Sequence, residues 1–176
     1  LACIPYFKPE DTDTEKLKLL GVEPYKLNIF KIAAHATTPI ARKFIGLPAA
    51  VLTSGKLDLI LREIAIVRTG ILCHSEYEVY QYRKISRRVG MPEEKIEALA
   101  IGSTAPVFSE IERLVLRFTE ETVQQHKASD ETFTAISKYF SYEVLVDLAI
   151  AVGCYMMVST FLNTFEVDIK KRNAPL

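Results

Sequence analysis

Cysteine is scarce in this chain, and the three that occur, Cys3, Cys73 and Cys154, are far apart. Three such thiols cannot build a disulfide framework, and no Cys/His spacing resembles a structural zinc site. That usage suits a reducing compartment, and the expectation is a cytoplasmic protein with no metal and no cofactor. Excess charge of either sign is also missing: 22 Lys plus Arg balance 22 Asp plus Glu. Without a basic stripe interleaved with aromatics there is no nucleic-acid surface to read. Without a cationic patch there is none for an anionic membrane either. The most apolar run, Leu148 to Val158, falls short of the roughly 20 residues needed to span a bilayer. It reads as a buried core helix. The chain opens at Leu1, which leaves a preceding leader open, although nothing visible has the form of one. Strand signals are equally weak, since alternating β-branched runs bounded by Asn-Gly or Asp-Gly turns are absent. No internal repeat or low-complexity tract appears.

What is present is helical. At 176 residues and 49% hydrophobic, the chain is long enough and apolar enough for one domain with a real core. Residues 1–24 read as an N-terminal arm and a short helix from Thr12 to Leu20, residues 25–168 as a helical domain, and 169–176 as a tail. A short helix is expected over Asn28 to Ala34. Another runs from Pro39 to about Thr53, ended by Gly55 in a left-handed cap. Leu57, Ile60, Leu61, Ile64, Val67 and Ile71 then form one face of an amphipathic helix. The next helix spans Ser75 to about Gly90, and Pro92 with Glu93 and Glu94 opens a short one. Ser109-x-x-Glu112 is a capping-box pattern for a helix reaching His126. Ser129 and Ser141 start the last two. The final helix, to about Phe165, is apolar nearly all round and is expected in the middle of the fold. The fold class is therefore all-α, a single-domain bundle of seven to nine helices.

Two carboxylates interrupt apolar faces. Glu63 sits within the stripe of Ile60, Ile64 and Val67 and should point inward, where burial raises a carboxyl pKa toward the range useful for acid–base work. A structural ion pair with Arg62 or Arg68 is the plainer account of the same position. Glu78 shares a face with Ser75, Val79, Tyr82, Ile85 and Val89, one turn from the Tyr82 phenol. Ser75-x-x-Glu78 is itself a capping box, in which Glu78 would fold back on its own helix and do no chemistry. A helix N-terminus also favours an ionised carboxylate, which makes Glu78 the base and leaves Glu63 or Tyr82 as the acid. Cys73, just ahead of this helix, reads either as a reactive thiol of depressed pKa or as an inert one. Cys154 reads as core. His35 reaches the site only if the fold carries it there, and His74 and His126 read as loop or surface.

These residues fall into a pattern. Leu61-Arg62-Glu63-Ile64-Ala65-Ile66-Val67-Arg68, Ser75-Glu76-Tyr77-Glu78 and Arg87-Arg88-Val89-Gly90-Met91 resemble the carboxymuconolactone decarboxylase and alkylhydroperoxidase D family. So do Leu27-Asn28-Ile29-Phe30-Lys31 with Ala34-His35, Phe108-Ser109-Glu110-Ile111-Glu112-Arg113, and Val152 to Val158 with Phe161-Leu162-Asn163. The resemblance extends from about residue 25 to 168. It implies an all-α fold assembling as a homo-oligomer, a trimer or hexamer, with sites near subunit contacts. In the peroxidase branch a Cys-x-x-Cys pair, a His four residues later and a Glu on the preceding helix form a proton relay. Glu63 matches that Glu, while Ser75, Glu78 and Tyr82 occupy the two Cys positions and the His position. The redox pair is therefore absent, and disulfide exchange needs two thiols within reach. The decarboxylase branch needs proton transfer instead, and there too a His usually stands where this chain has Tyr82. A phenol is a poor base at neutral pH but can donate a proton or hydrogen bond to an enolate.

The leading expectation is a cofactor-free lyase acting by decarboxylation or proton transfer on a small organic acid or lactone. Glu63 and Glu78 would be its acid–base pair, Tyr82 its hydrogen-bond donor and His35 a further candidate. The alternatives are a thiol-dependent hydroperoxide reductase using Cys73, and a non-catalytic oligomeric binding protein of the same fold.

Overall fold

The computed structural model describes residues 2–7 and 27–169. The helix expected over Thr12 to Leu20, and most of the tail, lie outside the described residues. Eight helices and no strand occur among the described residues: α1 Asn28–Ala33, α2 Thr38–Ser54, α3 Leu59–Leu72, α4 Glu76–Arg88, α5 Glu93–Ala98, α6 Glu110–Gln125, α7 Asp130–Ile136 and α8 Tyr142–Thr164. Their starts follow local chemistry. Asp58 accepts from the Ile60 and Leu61 amides at 2.9 and 3.1 Å, occupying two donors that the first turn of α3 leaves unpaired. Ser109 and Glu112 close the expected capping box on α6, and the Ser129 and Ser141 side chains cap α7 and α8.

Two details depart from the sequence reading. Gly55 ends α2 in extended backbone, with φ −69° and ψ 151°, not in a left-handed turn. More consequentially, the middle of the fold is α3. Every residue from Leu61 to Gly70 is buried, and α3 packs against α4, α6 and α8. The apolar helix α8 instead lies half out: Leu148, Val152, Tyr155 and Ser159 are buried, whereas Tyr142, Val146, Ile150 and Met157 are exposed. At 23 residues α8 has the length and apolarity of a membrane-crossing helix, but its inner face is part of the packed core.

Burying α3 buries its charges, and each is put to use. Arg62 donates from Nε and Nη2 to Glu63 Oε1 at 3.0 and 2.9 Å. Its Nη1 reaches the Leu52 carbonyl at 2.7 Å, one of the orphan acceptors at the end of α2. Arg68 does the equivalent job at the other end of α3. It pairs with Glu120 of α6 at 2.9 Å and donates to the Leu99 and Ala100 carbonyls just past α5. Glu120 also accepts from the Ser103 amide and hydroxyl. Between them lies Gly102, at φ +92°, where an added Cβ would collide with Glu120 Oε1 and the Arg68 guanidinium.

Gly102→Ala therefore combines a left-handed alanine with displacement of a buried ion pair. Urea denaturation should show a loss of about 3 kcal/mol or more.

Candidate functional site

The site lies where α3, α4 and α8 meet. Glu63 projects from the middle of α3 and is 0% exposed. Its Oε1 holds both Arg62 bonds, and its Oε2 has no hydrogen-bond partner among the described residues. Burial pushes its carboxyl up from the ordinary value, and the Arg62 hydrogen bonds and charge oppose that rise. Of the two arginines the sequence offered as partners, Arg62 takes the role and Arg68 is committed to Glu120.

Glu78 stands in the first turn of α4 and is 1% exposed. The capping box is not formed: Ser75 precedes the helix but makes no side-chain cap bond. The Ser75 hydroxyl and Glu78 Oε1 are both buried without a partner. Glu78 instead lies across the backbone of α3. A Cβ on Gly70 would come within 3.0 Å of its Cγ, so glycine at that position is what lets the two helices close over the carboxyl. Burial alone drives the Glu78 pKa up to about 8. The ionised state expected from its place at a helix start is thus overruled, because desolvation acts on the whole charge whereas the dipole supplies about 1 kcal/mol.

Tyr82, one turn further along α4, meets a residue that sequence reasoning passed over. Its hydroxyl lies 2.5 Å from that of Tyr155 on α8, and the rings stand edge to face with centroids 5.0 Å apart. Tyr155 is fully buried. Burial raises both phenols, Tyr82 well above its usual value, and Glu78 and Glu63 add electrostatically to each. All four groups therefore share one electrostatic neighbourhood. Ser159, one turn beyond Tyr155, is another buried hydroxyl without a partner. The only sequence signal for Tyr155 was its four-residue spacing to Ser159 within an otherwise apolar helix.

The other candidates fall elsewhere. His35 is exposed just past α1, its Nε2 2.8 Å from the Pro5 carbonyl and its ring edge-on to Phe7. Cys73 is half-buried at the end of α3, and burial with the nearby Glu78 raises its thiol. The depressed pKa that a helix start would confer is not found. Cys154 is buried and pushed up to about 11. No group of three or more His, Cys, Asp or Glu able to hold a metal occurs among the described residues.

Two clefts flank the site, and neither has Glu63, Glu78 or Tyr82 in its wall. One, of about 530 Å³, runs past Gly70, Ser75 and Val79 and along the outer face of α4. Gly70 is the residue that backs onto the Glu78 side chain. The other, of about 210 Å³, lies between α2 and α8 with Arg62 in its wall.

Comparison with known proteins agrees with this architecture. The model of the carboxymuconolactone decarboxylase family matches residues 39–121, from α2 into α6, a span that holds Glu63, Glu78 and Tyr82. No curated protein matches the chain. Among solved structures, the alkylhydroperoxidase AhpD core of an uncharacterized peroxidase-related protein from Ralstonia eutropha JMP134 is 20% identical, with TM-score 0.77 over 95% of this chain and 91% of that one. A protein of unknown function from Agrobacterium tumefaciens is 23% identical, with TM-score 0.72 over 79% of this chain and 96% of that one. The debrominase Bmp8 is 17% identical, with TM-score 0.76 over 96% and 92%. At these identities the structural likeness speaks for the fold. Residues 39–121 of this chain thus match the carboxymuconolactone decarboxylase family, and the chain as a whole has the alkylhydroperoxidase D-like helical fold.

Proposed function

We propose that this protein is a cofactor-free acid–base enzyme that decarboxylates, or moves a proton on, a small organic acid or lactone-like carbonyl compound. The observation that carries the reading is the pair of buried carboxyls, each with an oxygen lacking a hydrogen-bond partner, beside two mutually bonded phenols. Unpartnered buried polar atoms cost stability, on the order of 1–3 kcal/mol each. They are expected where reacting groups of a ligand complete the hydrogen bonding.

The roles follow from the environments, and they reverse the order suggested by position on the helix. Glu78, with a pKa of about 8, is mostly protonated at neutral pH and serves as the acid. Burial raises Glu63 as well, but the Arg62 hydrogen bonds and charge oppose that rise and favour its charged form, so it serves as the base. The phenols, both raised, remain protonated and act as hydrogen-bond donors. In a decarboxylation the carbon–carboxylate bond breaks, its electron pair passes into an enolate, and carbon dioxide leaves. The Tyr82–Tyr155 pair donates a hydrogen bond to the enolate oxygen, and the Glu78 proton goes to carbon. Thiol chemistry at Cys73 draws no support from its half-buried position and raised pKa.

A homo-oligomer, a trimer or hexamer, belongs to the same proposal. The outward face of α8, with Tyr142, Val146, Ile150 and Met157 exposed and uncharged, supports it as the kind of surface that a second copy covers.

Four outcomes follow. Carbon dioxide release, measured across small β-keto acids and carboxylated lactones, should fall about 100-fold or more in Glu63→Gln and in Glu78→Gln. Cys73→Ala should keep its activity, and hydroperoxide consumption with dithiothreitol should be absent. Glu78 also carries a pH signature. Its folded pKa lies above its unfolded value, so the folded state holds the extra proton, and stability is greatest below about pH 4.5 and falls as pH rises toward about 8. Urea midpoints measured from pH 5 to 8.5 should decline in the native chain and be markedly flatter in Glu78→Gln. Light scattering should find more than one chain per particle, shifting toward monomer in Val146→Lys.

A further inference from the structure

The larger cleft contains polar groups that the acid–base proposal does not use. It opens along the outer face of α4, and its volume of about 530 Å³ suits a small organic ligand. Arg83, Lys84 and Arg87 bring three positive charges to its wall, against Glu76 alone among lining acids. Two of the three cations are engaged. Arg87 chelates Glu93 at 2.5 and 2.8 Å, and the Lys84 ammonium sits 3.7 Å from the centre of the Tyr80 ring. The Glu93 carboxylate is held low chiefly by its bond to Arg87, with Arg83 adding electrostatically, so Arg87 has already taken the nearest anion. Arg83 Nε, a group that can only donate, is buried without a hydrogen-bond partner.

A second orphan lies in the same wall. Ser75 is 1% exposed, lines the cleft, and spends its hydroxyl on no bond, not even the cap of its own helix. The first turn of the 13-residue helix α4 begins at this point, where peptide N–H groups favour negative charge. Arg83 and Ser75, each with a buried polar atom lacking a partner, thus line one cleft beside a helix start, and all three call for an acceptor. Gly70, which also lines it, backs onto Glu78. An anion seated here would have its uncharged end toward the buried carboxyls.

We propose that this cleft is a carboxylate-binding site in which Arg83 pairs with the anionic group of a small organic acid and Ser75 hydrogen-bonds it. As the entry of a substrate to Glu78 it rests on the acid–base reading, but as a binding site it stands alone. Guanidinium recognises carboxylate through paired, charge-assisted N–H bonds. Arg83 therefore sets the preference for acids over their neutral analogues, and Arg87, already paired, contributes little.

The test is isothermal titration of the full chain with benzoate, with benzyl alcohol as the uncharged competitor. Benzoate should bind saturably, and benzyl alcohol should not displace it. Arg83→Gln should weaken benzoate about tenfold or more, Ser75→Ala by about threefold, and Arg87→Gln by less than about twofold. Arg83→Lys, which keeps the charge and loses the fork, should recover part of the loss and shows that the position tolerates change. Absence of saturable binding to the native chain, native affinity in Arg83→Gln, or equal competition by benzyl alcohol would each overturn the proposal. Carboxylate binding through Arg83 together with full turnover in Glu63→Gln and Glu78→Gln would overturn the reaction and leave this site standing. Loss of turnover in those variants without benzoate binding would do the reverse.

Discussion

The enclosure of α3 is the constraint on which the rest of the molecule depends. A helix surrounded by α4, α6 and α8 has no route to water for its polar side chains, yet this one carries two arginines and a glutamate among its buried residues. Such charges are tolerated only when paired and fully hydrogen-bonded. Arg68 meets that condition completely: Glu120 neutralises it, and the carbonyls beyond α5 take its remaining donors. Arg62 meets it through Glu63 and the end of α2. The two arginines consequently tie three neighbouring segments to the central helix. This is why a helix of mixed polarity, not the more apolar α8, occupies the middle.

Glu63 is the incomplete half of that arrangement. Arg62 satisfies one of its oxygens and leaves the other without a partner. Across the helix junction Glu78 is less satisfied still, having neither an ion pair nor a cap to hold its charge. The two carboxyls therefore sit in different surroundings: burial raises both, but Arg62 opposes the rise at Glu63, whereas Glu78 lies beside apolar carbon and phenols with nothing to oppose it. A separation of that kind is what acid–base catalysis requires of two like groups. The Tyr82–Tyr155 pair lies within electrostatic reach of both, and its raised hydroxyls stay protonated, so they place donors beside the carboxyls without adding charge.

Much of this was legible in the sequence, and the parts that were not share a cause. Periodicity and capping residues placed the helices from Asn28 to Thr164 to within a few residues, because those signals are local. The inward direction of Glu63 was legible for the same reason, since its neighbours at three and four residues are apolar. Tyr155 was not, because a phenol in an apolar helix looks like core until the facing helix brings a second phenol to it. The protonation of Glu78 is not legible, because the sequence shows a helix start and a serine at cap spacing. It does not show that Gly70 faces Glu78 and lets α3 close over the side chain. Likewise composition alone points to α8 as the central helix, whereas position is decided by which helix has partners on all sides.

The proposed division of roles between the two glutamates requires Glu78 to be a neutral acid in the resting protein at pH 7. Carbon-13 NMR of the glutamate side-chain carboxyls, followed from pH 4 to 10 with Glu78→Gln used to assign the resonance, measures this directly. The structure predicts a carboxyl titrating near 8, absent from the variant. A Glu78 resonance titrating in the ordinary range, near 4.5, would show a solvated or ion-paired carboxylate and would contradict the roles given to both glutamates.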